Sequence, residues 1–121
     1  MTAFEAVEAA LLPWLTQNDV PYAAAFYQPK DGALPDRFLV YDQISERHTS
    51  YDNRPHINTV RVQIDFVSRD VADMTSVPRE IENELLRAKF SLADTGGRVA
   101  YNADSKHWYW QKDFYVRLRR D

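Results

Sequence analysis

Two stretches of this chain alternate apolar and polar side chains with a period of two, and a polar segment separates them. The first is Phe38–Ile44 (FLVYDQI) and the second is Ile57–Ser68 (INTVRVQIDFVS). In the second, Val60, Val62, Ile64 and Phe66 share one face, and Arg61, Gln63 and Asp65 share the other. This is the pattern of half-buried strands in an antiparallel sheet. The connection from Ser45 to His56 is far longer than a hairpin needs, and segments of that kind are usually functional or disordered.

Helical spacing appears twice. Residues 2–16 place Phe4, Val7, Leu11 and Leu15 on one stripe, broadened by Leu12 and Trp14. Thr2 followed by Glu5 three residues later predicts a capping box. Pro13 is expected to kink this helix or end it near Leu12. Residues 69–90 place Val71, Met74, Val77, Ile81, Leu85 and Ala88 on a second stripe, with Asp70 and Asp73 where acids favour a helix start. Pro78 interrupts it. The favoured reading is a short turn ending near Thr75 and a new helix capped by Ser76, with Pro78 in its first turn.

Residues 17–37 hold Pro21, Pro29, Gly32 and Pro35 and read as irregular, with a short extended piece at 23–27 and a turn at 29–32. The last third is β. Residues 90–101 contain a turn or bulge at Gly96-Gly97 and an extended Arg98–Tyr101. Residues 102–106 form a turn, and 107–119 a long strand. In that strand Trp108, Trp110, Phe114, Val116 and Leu118 face the core, and Tyr109, Gln111, Asp113, Tyr115, Arg117 and Arg119 face away. The order α-β-β-α-β-β predicts one α+β domain over 1–121, in two layers. Two helices pack on one face of a mainly antiparallel four-stranded sheet. The other face then carries Arg61, Gln63, Asp65, Tyr109, Gln111, Tyr115, Arg117 and Arg119. Tyrosine and arginine are the residue types that interfaces favour.

Composition narrows the classes. The 121 residues are 45% hydrophobic and 27% charged, as in ordinary globular proteins. The net charge of −3 and pI near 5.6 argue against a membrane surface or a sequence-specific nucleic acid as partner. No cysteine is present, which removes disulfides, thiolate zinc sites and cysteine nucleophiles. No apolar run reaches the roughly 18 residues of a bilayer span, and the acidic start of the chain does not read as a secretory signal.

Candidate chemistry is sparse. His48 and His56 lie in the 45–56 segment with Asp52 between them, and a metal reading would use these three. The segment offers no rigid second shell, so a solvated polar loop is the better reading. His107 reads as structural or exposed. Glu80, Glu82 and Glu84 do not share a helix face. No serine has the setting of a nucleophile elbow, and Gly96-Gly97 lacks the spacing of a phosphate loop. Trp108 and Trp110 could stack on bases, but alternation puts both toward the core. The pattern predicts no enzyme, no cofactor and no metal.

The order of elements carries a resemblance. An N-terminal helix precedes Leu39–Ile44. A polar loop with Tyr51-Asp-Asn53 leads to Val60–Val67, which runs straight into a helix, and a closing strand opens on His107-Trp108. Over about 3–119 this layout resembles the tail-terminator or tail-completion proteins of long-tailed phages and prophages. The resemblance implies a non-enzymatic subunit that closes into a ring, commonly a hexamer, caps the tail tube and helps join tail to head. The implied partners are other copies of the chain, the tail-tube protein and a head-tail connector protein. The implied location is the virion tail, assembled in the host cytoplasm. Expected contact residues are Arg47, His48, Tyr51, Arg54 and His56 of the loop, and Arg61, Gln63, Tyr115 and Arg117 of the polar sheet face. A neck or head-completion protein of the same pathway, and a small metal- or ligand-binding domain, stand as alternatives.

Overall fold

A computed structural model describes residues 1–28, 32–49, 57–93 and 96–119, and of residues 46–49 and 119 the backbone alone. Its elements in chain order are α1 (Ala3–Gln17), β1 (Tyr22–Ala24), β2 (Arg37–Thr49), β3 (Ile57–Ser68), α2 (Asp73–Arg87), β4 (Ser91–Leu92), β5 (Arg98–Asn102) and β6 (His107–Arg119). The mixed α+β class with two helices and a mostly antiparallel sheet holds. The sheet has six strands among the described residues rather than four, in the order β1-β2-β3-β6-β4, with β5 also on β6. The two extra strands, β1 and β4, are three and two residues long, too short for periodicity to reveal them, and β5 is the expected extended Arg98–Tyr101. β1 runs parallel to β2, and every other pairing is antiparallel.

α1 starts on the expected capping box. Thr2 Oγ1 accepts from the Glu5 amide at 3.1 Å, and the Glu5 carboxylate accepts from the Thr2 amide at 3.0 Å. Pro13 does not end the helix. The hydrogen bond it cannot make would go to the carbonyl of Ala9, and both residues lie on the exposed side. Ala3, Ala6, Val7, Leu11, Trp14 and Leu15 are buried, whereas Leu12 faces out. α2 likewise runs unbroken through Pro78, and Ser76 is not its cap. Its first turn is fixed earlier: Asp70 Oδ1 accepts from the Ala72 amide, and Ser68 Oγ donates to Asp73. Val77, Ile81 and Leu85 form its buried stripe.

Of the segment read as a twelve-residue loop, Ser45–Thr49 are strand, and residues 50–56 lie outside the described residues. β2 continues to Thr49 and pairs with β3 as far as Thr49–Ile57. A bulge between Gln43 and Ser45 leaves Ile44 as the extra residue, and this breaks the alternation there. A bulge followed by a polar run reads as a loop when periodicity is the only guide.

The core lies between the helices and the β2–β3–β6 sheet. Leu39 and Tyr41 of β2, Val60, Val62, Ile64 and Phe66 of β3, and Trp110, Phe114 and Val116 of β6 are buried there. The Tyr41 hydroxyl donates to Glu8 of α1, and burial, with help from that carboxylate, pushes its phenol pKa up. Lys112 also points to this face and is buried. Its Nζ reaches Glu82 of α2 at 3.2 Å and lies 5.9 Å from the Phe114 ring centroid. Trp108 is half-buried at the end of the row, packed on Tyr101. Gly97 is needed where it stands, because any side chain there would collide with the Trp110 ring.

Ile64 has no exposed surface, whereas Gln63 beside it is half-exposed on the other face. Ile64→Asp is expected to cost about 3–5 kcal/mol, the scale of burying an unpaired charge. Gln63→Ala is expected to cost less than about 1 kcal/mol. Urea unfolding of the two variants checks the register, and equal stabilities would refute it.

Candidate functional site

The helix-free face of the sheet is built by the outward residues of β3 and β6. The ladder sets Arg61 opposite Tyr115, Gln63 opposite Asp113, Asp65 opposite Gln111, and Val67 opposite Tyr109. Two regions with different chemistry follow.

The first is an ionic cluster. Arg61 Nε donates to Asp113 Oδ2 at 2.7 Å, and the guanidinium lies 5.9 Å from the Tyr115 ring centroid. Asp113 is buried and Arg61 about a third exposed, so this pair is better shielded from water than an ordinary surface pair. Four of the expected contact residues meet here, since Arg61, Gln63, Tyr115 and Arg117 occupy neighbouring positions of one face. Arg47 and His48 stand opposite Thr59 and Asn58 in the ladder, in strand rather than loop. Tyr51, Arg54 and His56 lie outside the described residues, as does Asp52, so the His48–Asp52–His56 metal reading falls there too.

The second region was not expected. Ala25 has a φ of 67° and its amide donates to Tyr41 O at 2.8 Å, which turns the chain off β1. Beyond it, Tyr27 stacks on Phe38 at 5.0 Å, and Leu34 and Pro35 come to lie by His107. A cleft of about 400 Å³ results, lined by Leu34, Phe38, Asp65, Val67, Asn102, Ser105, His107, Tyr109 and Gln111. The turn before β6 sets His107 in place. Asn102 Oδ1 accepts from the amides of Asp104 and Ser105, and Lys106 takes a φ of 60°.

His107 is only 1% exposed, and its ring meets Phe38 edge-on at 5.8 Å. Its Nε2 lies 3.0 Å from Pro35 O. A carbonyl only accepts, so Nε2 carries the hydrogen and Nδ1 of the neutral ring is an acceptor. Nδ1 is buried and has no partner among the described residues. Asp65 Oδ1 is likewise buried without one. Burial raises the Asp65 carboxyl above its ordinary range, Asp113 and Asp42 add to that, and a hydrogen bond with the Gln111 side chain opposes it.

The sequence pointed to His107 without assigning it a use, because alternation alone cannot say what covers a strand. Residues 25–28 and 32–36, irregular in pattern, supply that cover. No group of three or more candidate metal ligands occurs among the described residues, and no described helix is long and apolar enough to cross a membrane. No protein-family model matches the chain, and no curated protein matches it.

Because the folded-state pKa of Asp65 is raised, the fold favours its protonated form, and ionisation works against stability as pH rises through that pKa. Asp65→Asn keeps the shape and removes the charge. It is expected to raise the melting temperature at pH 7, with the gain shrinking as pH falls through the carboxylate range. Thermal scans from pH 3 to pH 8 check this, and a gain independent of pH would contradict it.

Proposed function

We propose that this protein is a non-catalytic assembly subunit that closes into a ring on the end of a phage or prophage tail tube and helps join tail to head. The observation that carries the reading is the free end of the β2–β3–β6 ribbon. β1 covers β2 only from Leu39 to Tyr41, and among the described residues no strand pairs with the outer side of β2 beyond it. A strand edge of that length is a template for pairing with another chain. Ile44 and Ile57 are exposed near this end, at 48% and 44%. The Arg61–Asp113–Tyr115 cluster continues the same ribbon with interface-type residues.

The two long borders of the ribbon differ. One is the outer side of β2, the other the outer side of β6 past its pairing with β4 at Tyr115. Contacts between unlike surfaces are heterologous, and they close into a ring when the rotation per subunit allows. The element order Ala3–Gln17, Arg37–Thr49, Ile57–Ser68, Asp73–Arg87, His107–Arg119 supports the tail-terminator reading. Arg61, Gln63, Tyr115 and Arg117 are the described contact residues, and Arg47 and His48 lie on the free strand.

Size-exclusion chromatography with light scattering tests this, on the chain alone and with tail tubes of the encoding phage or prophage. The expected assembly is about six times the 14.1 kDa subunit mass. Ile44→Lys with Ile57→Lys is expected to leave the melting temperature within a few degrees and to abolish assembly. A chain that stays monomeric and ignores both tubes and connectors would overturn the proposal.

A further inference from the structure

On the helix side the sheet extends past its cover. α2 packs on β3 and β6, and α1 lies beside it on β2. Beyond β6 come β4 and β5, where Ser91, Leu92 and every residue of β5 except Ala100 are exposed. The register decides which of these side chains point to the helix side. Leu92 is opposite Phe114, Val99 opposite Trp110 and Tyr101 opposite Trp108, all three on the inward row of β6. Residues directly across a ladder share a face. Leu92, Val99 and Tyr101 therefore form a row along the outer border of the helix face. α2 supplies the opposite wall. Glu82 reaches Lys112 of β6, which marks the flank of α2 turned to this border, and Leu86 stands one turn further along it. Leu86, Leu92, Val99 and Tyr101 are each 41–49% exposed. Together they make an apolar furrow between α2 and the β4–β5 edge.

The rim of the furrow is cationic. Arg79 and Lys89 stand on the α2 side and Arg98 at the strand edge, all exposed and none with an ion-pair partner among the described residues. The far border of the helix layer has the opposite chemistry. Trp14 Nε1 donates to Glu80 of α2, which marks the inner flank of α1. Glu8 accepts from the Tyr41 hydroxyl on β2, so the flank turned away from α2 runs through Glu5, Glu8 and Leu12, at helical spacing. Leu12 is exposed there. α1 holds two glutamates and no lysine or arginine. An acidic ridge with an apolar tip thus bounds one side of the molecule, and a cation-rimmed apolar furrow bounds the other.

We propose that α1 of one copy of the chain seats in the furrow between α2 and the β4–β5 edge of the next copy. Ridge and furrow are at opposite borders of one helix layer, so they meet only between molecules, and the contact is heterologous and repeats around a ring. Opposite charges at the two rims fix the pairing and its direction. The inference rests on the ring reading and supplies the helix-side contact that the reading leaves open. α1 lies over β2, and the furrow flanks β6. A head-to-tail placement that brings the β2 border of one copy to the β6 border of the next therefore brings α1 to the furrow as well.

The chain has no cysteine, so two introduced thiols can be linked without interference. Leu12→Cys with Val99→Cys changes two exposed positions and leaves the core intact. Treated as the assembled protein with bismaleimidohexane and run on a denaturing gel, the double variant is expected to give a ladder of covalent multimers climbing to the ring size. Each single variant is expected to give dimers at most. Arg79→Glu with Lys89→Glu is a second probe that leaves the apolar contact in place. It is expected to keep the melting temperature within a few degrees and to raise the concentration of half-assembly about tenfold or more. A double-cysteine variant that reaches the wild-type assembled mass by light scattering but gives no ladder would overturn the proposed contact and leave the ring standing. Charge reversals that leave assembly unchanged would do the same. A wild-type chain that stays monomeric with tubes and connectors present would overturn the ring reading and this contact together.

Discussion

The molecule depends on the two-residue alternation of β3, held in register on both sides by long neighbours. β3 pairs through all twelve of its residues with β2 on one side and β6 on the other. A slip of one residue would exchange Val60, Val62, Ile64 and Phe66 for Arg61, Gln63, Asp65 and Val67 on the face beneath the helices. The four apolar residues are 0–1% exposed. At about 1.5–3 kcal/mol for each side chain buried, their loss would be comparable to the whole net stability of a domain this size. Because β3 is central, both rows of its backbone groups find partners, so the strand has no alternative position at comparable energy. The helices settle on the apolar face this creates, and the polar face is a consequence of the same register.

The two faces are then closed by different means. α1 and α2 cover one with amphipathic stripes. Among the described residues the other is covered only in part, by residues 25–28 and 32–36. Tyr27 on Phe38 and Pro35 on His107 mark where this cover seats. The helix-free face is therefore graded along its length, enclosed near His107 and open near Arg61. That gradation follows from where residues 25–28 and 32–36 lie against the sheet.

Much of this was legible in the residues. The capping box at Thr2 and Glu5, the faces of β3 and β6, and the apolar stripe of α2 were all visible because period and cap chemistry are local. Other features were not. Pro13 and Pro78 break a local rule at low cost, since each removes one hydrogen bond from a helix that tertiary packing holds. The bulge at Ile44 shifts the alternation by one, so β2 seemed to end there. The position of Lys112 was inward by alternation, but its partner Glu82 comes from α2, and pairing between distant elements has no local signature. The Tyr-Arg face was legible as a set of residues, and its four members on β3 and β6 do stand together. The cleft was not, because it exists only where Leu34 and its described neighbours meet the sheet.

Lys112 and Asp65 show how differently one fold treats two buried charges. Each sits mid-strand in the sheet, on opposite faces. Lys112 packs its stem in the core and brings its ammonium to Glu82, which is about a quarter exposed and connects the pair to water. A buried charge with its counter-charge at hand is near balance. Asp65 accepts a hydrogen bond from the Gln111 side chain, and its Oδ1 has no partner among the described residues. Asparagine would fill the same space and leave less desolvation to offset. The fold therefore gains nothing from the ionised carboxylate at this position.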